Sequence, residues 1–199
     1  MNPLAILDRD GTIIDVLRDE ETGAITTAFH PDHLRFLAGA VEGMRALADA
    51  GFTLAIATNQ PGPAKGQISA AAVARTHAAL LARLAGEGVR IAALEVCLHH
   101  PDGGPGGDVA LIGPCACRKP GAGMLATLLA KLDGDPARSW MIGDTTADVQ
   151  AGRTAGLRTA LVFAPNRCEL CPLRDGPAGS PDVTGATVLE VARTILHRG

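Results

Sequence analysis

Short runs of consecutive apolar residues alternate along this chain with longer stretches in which apolar positions recur every three to four residues. The runs are residues 4–7 (LAIL), 53–57 (TLAIA), 94–98 (LEVCL), 140–142 (WMI) and 159–163 (TALVF). They are largely continuous rather than alternating with polar residues, the pattern of strands buried on both faces. Between them, helical periodicity covers roughly residues 39–50, 69–84, 121–132, 148–155 and 188–196, and Ser69 stands where an N-cap is needed. Strand and helix in regular alternation predict right-handed βαβ units and a doubly wound, Rossmann-like α/β fold, a parallel sheet with helices on both faces. Three segments escape the alternation: 15–33, 99–120 and 164–182. The last two are dense in Gly and Pro and read as loops. No repeat or linker divides the chain, so one domain over residues 1–199 is expected.

Composition narrows the chemistry. The 199 residues are 47% apolar and 20% charged, a composition that folds. The aromatic residues are Phe29, Phe36, Phe52, Phe163 and Trp140 alone, with no tyrosine. Modules that stack bases on exposed rings are therefore a poor match. A net charge of -3 gives no basic footprint for nucleic acid or anionic lipid. No apolar stretch approaches a membrane span, and charge arrives at Asp8 before a signal-peptide core could form. A cytoplasmic, monomeric protein acting on a small molecule, with no nucleic-acid or membrane partner, is expected.

The polar residues that follow the first four strands carry the candidate chemistry. The first runs into Asp8-Arg9-Asp10-Gly11-Thr12, the second into Thr58-Asn59-Gln60, the third through a loop to Arg118-Lys119-Pro120, and the fourth into Gly143-Asp144-Thr145-Thr146-Ala147-Asp148. Strand ends converge in a parallel sheet, so four carboxylates, a hydroxyl, a guanidinium and an ammonium would face one crevice. That inventory suits phosphoryl transfer. Of Asp8 and Asp10, two residues apart and leaning the same way, one can attack phosphorus while the other handles the leaving-group proton. Asp8, Asp144 and, as a further candidate, Asp148 offer the hard oxygens that Mg²⁺ prefers. Thr58 and Lys119 can meet the equatorial phosphoryl oxygens.

In order and spacing these four clusters resemble the motifs of the haloacid dehalogenase superfamily of phosphatases, over roughly residues 4–161. The resemblance implies a covalent aspartyl-phosphate on Asp8 and Asp10 as general acid, then base. It also implies Thr58 and Lys119 as phosphoryl stabilisers, and Mg²⁺ on Asp8, the Asp10 carbonyl and Asp144.

A second pattern lies in the loop. Cys97 and His99, with Cys115 and Cys117, make three thiolates and an imidazole, a complete tetrahedral Zn²⁺ set with no open position and hence structural. Adjacent His100 is expected to stand outside it. The loop 97–117 resembles the zinc loop of two families in that superfamily, the heptose 1,7-bisphosphate phosphatases and the histidinol-phosphate phosphatases. The resemblance implies a zinc-stapled loop in place of a large cap domain, and substrate contacts by Arg118 and Asn59.

The stretches DRDGTI, TNQ and RKPGAGM lean toward the heptose enzymes, so the expected substrate is a small phosphorylated sugar, heptose 1,7-bisphosphate, losing its C7 phosphate, with other small sugar phosphates as an alternative. Histidinol phosphate is another alternative within the enzymes, and a zinc-stapled binding module the alternative outside them. Cys168 and Cys171 are expected to be incidental thiols. His30, His33, His77 and His197 are expected to be solvated or helix-surface residues.

Overall fold

The computed structural model describes residues 1–18, 21, 25–163 and 180–198. Its strands are β1 (Leu4–Leu7), β2 (Leu17–Arg18), β3 (Ile25–Thr26), β4 (Thr53–Asn59), β5 (Ala93–Cys97), β6 (Trp140–Gly143), β7 (Arg158–Val162) and β8 (Val183–Gly185). The helices are α1 (Ala40–Asp49), α2 (Ala70–Gly86), α3 (Gly123–Lys131), α4 (Thr146–Thr154) and α5 (Val188–Arg198). Six strands form one parallel sheet in the order β5-β4-β1-β6-β7-β8. The order runs outward in opposite directions from β1, and the crevice beyond the carboxyl ends at such a switch point is where α/β folds bind ligands.

Alternation along the strands divides the interior in two. Ala5, Leu7, Leu54, Ile56, Trp140 and Ile142 join one core with Met44 and Leu47 of α1, Leu80 of α2 and Val191 of α5. Leu4, Ile6, Ala55, Ala57 and Met141 join the other with Leu125 and Leu128 of α3 and Ala151 of α4. Successive strand residues point to opposite faces, so a strand covered on both must be apolar throughout. All four residues of β1 are fully buried. The doubly wound α/β expectation is met.

Five of the six sheet strands and all five helices fall where periodicity put them, with ends shifted by a few residues. Ser69 caps α2, its hydroxyl accepting from the Ala72 amide at 3.2 Å. The sequence reading missed two features. The segment 15–33 holds a two-residue antiparallel pair, β2 with β3. The edge strand β8 is only three residues long and polar at its centre, too short for a pattern to register. Cys168 and Cys171 lie outside the described residues. Among the described residues no helix is long and apolar enough to cross a membrane.

Candidate active site

Asp8 leaves β1 with its amide donating to the Ile142 carbonyl of β6 at 2.9 Å, which fixes the start of the turn. Lys119 comes from the loop after β5 and is 4% exposed. Its ammonium donates to Asp8 Oδ1 at 2.6 Å and to the Ala57 carbonyl at 2.7 Å, and pairs with Asp148 Oδ1 at 2.6 Å. Each of its three hydrogens therefore has an acceptor. The other oxygen of Asp148 accepts from the Thr145 amide at 3.0 Å and the Thr145 hydroxyl at 2.6 Å, closing the capping box of α4.

Asp144 follows β6 directly. Its Oδ1 is buried with no hydrogen-bond partner among the described residues, an expensive condition for a carboxylate unless a ligand meets it. Two glycines make room for this packing. A β-carbon on Gly11, whose φ is +78°, would fall on the Asp144 carboxylate, and one on Gly143 would fall on that of Asp148. One oxygen each of Asp8, Asp144 and Asp148 lie within 4.8 Å of one another.

The electrostatics follow from crowding acids in a dry place. Burial foremost, with Asp148 and Asp10 adding to it, raises Asp8 to about 6 against the pull of Lys119. Burial and the neighbouring Asp8 and Asp148 raise Asp144 to about 8. Burial alone would lower Lys119, but the two carboxylates beside it outweigh that and raise it. The trio carries more negative charge than Lys119 neutralises, so a further cation fits here.

Asp10 faces a separate set of donors. Arg9 donates from Nε to Asp10 Oδ2 and from a terminal nitrogen to Oδ1, both at 3.0 Å. Gln60 Nε2 donates to Asp10 Oδ2 at 2.6 Å and Thr27 Oγ1 to Oδ1 at 2.5 Å. Gln60 Nε2 also reaches Thr58 Oγ1 at 2.9 Å, so that hydroxyl accepts and keeps its own hydrogen to donate. Thr58 is 1% exposed at the end of β4. Asn59 next to it uses its amide on the Lys119 backbone, Nδ2 donating to the carbonyl and Oδ1 accepting from the N–H, both at 3.0 Å.

The expectation that His77 is a surface residue is corrected. It is 6% exposed, and its Nε2 lies 2.9 Å from Arg9 Nη1. Burial first, and the adjacent Arg9 charge second, lower it to about 4, so the ring is neutral and accepts from Arg9. The sequence held a signal: Val73, Leu80 and Leu84 mark the buried stripe of α2, and position 77 falls on it. His30, by contrast, is exposed beside Asp32.

The four ligands predicted in the loop come together. Cys97, His99, Cys115 and Cys117 place one donor atom each within 4.8 Å of one another. Cys117 Sγ lies 2.9 Å from Cys97 Sγ and 3.4 Å from Cys115 Sγ, with His99 Nδ1 3.5 Å away. Burial foremost pushes the Cys97 thiol well up. A soft tetrahedral cation would reverse that, since it binds the thiolate. His100 stands outside the cluster, its Nδ1 accepting from the amides of Asp102 and Gly103 at 3.2 and 3.1 Å. Arg118 donates to the carbonyl of His99 at 3.3 Å, which ties it to a residue of the cluster. The loop also leans on the turn after β4, the Asp108 amide donating to the Pro63 carbonyl at 3.0 Å.

Comparison with known proteins agrees with this geometry. A family model described as HAD-hydrolase-like matches residues 116–164, from the cysteine pair to the end of β7. The chain is 36% identical over 155 residues to the D-glycero-beta-D-manno-heptose-1,7-bisphosphate 7-phosphatase of Rhodopseudomonas palustris, covering 78% of this chain and 80% of that one. It is 33% identical over 160 residues to the enzyme of the same name from Escherichia coli K12, covering 80% and 78%. Among solved structures, the D,D-heptose 1,7-bisphosphate phosphatase of B. bronchiseptica, complexed with magnesium and phosphate, superposes with a TM-score of 0.80 at 29% identity over 99% of each chain.

Proposed function

The chain belongs to the D-glycero-beta-D-manno-heptose-1,7-bisphosphate 7-phosphatase family of haloacid dehalogenase-type hydrolases, and from that premise we propose that it removes the C7 phosphate of this sugar bisphosphate through an aspartyl-phosphate on Asp8. It is a phosphoric monoester hydrolase. The observation that carries the mechanism is the buried pairing of Asp8 with Lys119 at the carboxyl edge of the sheet, where β1 and β6 end beside β4.

The chemistry runs in two displacements. An oxygen of Asp8 attacks phosphorus, the bond to the ester oxygen breaks, and the carboxyl proton of Asp10 passes to that leaving oxygen. A water then attacks the phosphoryl group and gives its proton to the Asp10 carboxylate. The bond to Asp8 breaks, and inorganic phosphate leaves with both aspartates restored. Lys119 and the free hydrogen of Thr58 face the phosphoryl oxygens, where charge must be stabilised. Asn59 acts here as a brace, holding the Lys119 backbone against β4, and Arg118 meets the substrate beyond the phosphoryl group.

Mg²⁺ fits the carboxylate site, since the donors are hard oxygens and the orphaned Asp144 Oδ1 lacks a positive partner. Asp8, Asp144 and the Asp10 carbonyl would hold it. When bound it supplies positive charge to the phosphoryl oxygens. Asp148, with one oxygen on Lys119 and the other on Thr145, steadies the lysine. Zn²⁺ fits the three thiols and His99, closed to substrate and therefore structural.

Acidity gives one check. In the magnesium-free, zinc-loaded protein, Asp144 keeps its proton in the folded state up to about pH 8, whereas the unfolded chain has lost it above the ordinary value of 3.8. The folded state then binds more protons, and stability falls as pH rises. Below pH 6.5 the buried neutral His77 works in the opposite direction. Between pH 6.5 and 8 the loss should be on the order of 1–2 kcal/mol. Thermal melts should show a falling Tm across that window, and a gain on adding Mg²⁺ that is larger at pH 8 than at pH 6.5.

The test of substrate is a phosphate-release panel containing both anomers of the heptose bisphosphate, histidinol phosphate and a set of other sugar phosphates. A kcat/KM that is highest for a heptose bisphosphate is expected. A clear preference for histidinol phosphate would overturn the substrate while leaving the mechanism standing.

A further inference from the structure

Four buried or half-buried side chains, Arg9, Thr27, Gln60 and His77, come from four separate segments to form a network around the carboxylate of Asp10. Arg9 is 1% exposed, Gln60 2% and His77 6%, far below what long polar side chains ordinarily show. The arrangement has a direction. His77, on α2, accepts from Arg9 Nη1, which leaves Nε and the other terminal nitrogen for the two oxygens of Asp10. Gln60 Oε1 accepts from Arg9 at 3.0 Å while its Nε2 donates to Asp10 Oδ2. Thr27 bridges Arg9 and Asp10 from the segment after β3.

We propose that Arg9, braced from behind by His77 and from the side by Gln60, is a positioning residue that sets the orientation of the Asp10 carboxyl group toward the leaving oxygen. The physical case rests on the fork of the guanidinium. A planar group with fixed donor directions transmits the position of one partner to the other, which a flexible ammonium does not. A long arginine side chain has several torsions that could turn, and pinning Nη1 to a ring carried on the 17-residue helix α2 helps to fix them. His77 suits the task because it is neutral. A protonated ring would present N–H to N–H and push Arg9 away. The structure also explains why Gln60 follows the Thr58-Asn59 pair: its amide ties Asp10 to Thr58 and keeps the proton donor in register with the phosphoryl contact.

This inference rests on the reading of Asp10 as proton donor, and leaving-group chemistry separates the two. An alkoxide leaves only if it is protonated, whereas p-nitrophenolate leaves without help, so misplacing Asp10 should slow the first far more than the second. The variants are His77→Leu, which removes the acceptor, and His77→Gln, whose Oε1 restores one. The measurement is kcat/KM for p-nitrophenyl phosphate and for the alkyl ester that the substrate panel ranks first. For His77→Leu the ratio of alkyl to aryl kcat/KM should fall about tenfold or more, and His77→Gln should recover most of it. If His77→Leu does not fold, Arg9→Lys tests the same fork and should show the same selective loss.

Equal losses on both esters, tracking a lower Tm, would mean that the network is only structural and would overturn the proposal. So would a His77→Gln ratio as low as that of His77→Leu. A wild-type protein that hydrolyses neither ester would remove the phosphatase reading itself, and this inference with it.

Discussion

Asp8→Asn is expected to abolish phosphate release, by on the order of 10⁴-fold or more, the range seen when a catalytic nucleophile is deleted, while the protein stays folded. An amide of the same shape cannot form the acyl phosphate, and no neighbouring group can take its place. Asp148 is held away from the attacking position by Lys119 and Thr145. The fold should tolerate the change for a reason visible in the site. Lys119 exchanges one charged acceptor for a neutral amide oxygen and keeps Asp148 and the Ala57 carbonyl, and removing the Asp8 charge relieves its repulsion of Asp144, part of what drives that group up to about 8. Phosphate release and a thermal melt, on one preparation, check both halves. A variant that turns over like the native enzyme would remove Asp8 as the nucleophile.

Disrupting the cluster of Cys97, His99, Cys115 and Cys117 should give the largest effect on stability. The native protein is expected to carry one zinc per chain, and Cys115→Ala to lose most of it, because a three-donor remnant neither completes the tetrahedron nor stays closed. Loss of a structural metal belongs with the few changes that cost on the order of 4 kcal/mol or more. For a chain of this length that corresponds to a fall in Tm of roughly 10 °C. Activity should fall with it. Arg118 rests on the carbonyl of His99, and Lys119 is held through its backbone by Asn59 just beyond Cys117. Elemental analysis and a melt decide the matter: zinc well below one per native chain, or a Cys115→Ala variant with unchanged zinc and Tm, would contradict the assignment.

What could be read from the sequence was whatever is local. Asp8, Thr58 and Asp144 each follow closely on a short apolar run, and Lys119 lies where the loop from a fourth run returns, so the crevice followed from the order of the runs and the convergence of strand ends in a parallel sheet. The Cys/His cluster was legible because two close pairs of soft donors flank a Gly-rich loop. The belt around Asp10 was not, since it links residue 9 to residues 27, 60 and 77. None of those spacings is a period of a helix or strand. His77 looked like a surface histidine because a lone polar residue on an amphipathic helix is read against composition, whereas its place on the Val73–Leu80–Leu84 stripe identifies it as buried. The strand β8 escaped because three residues give too little pattern. The α4 boundary shifted because the capping box makes Thr145, rather than Asp148, its starting point.

The capping box of α4 has a consequence for the order in which the molecule assembles. The carboxylate that satisfies the N-cap amide of this helix is the one that grips Lys119. Nucleating α4 therefore plants one wall of the reaction crevice, and an uncapped α4 leaves a buried ammonium underserved. The side chain that caps the helix and the one that holds the lysine are thus the same. Such an enzyme meets the cost of orienting its charges once, when the chain folds, and not again in each catalytic cycle.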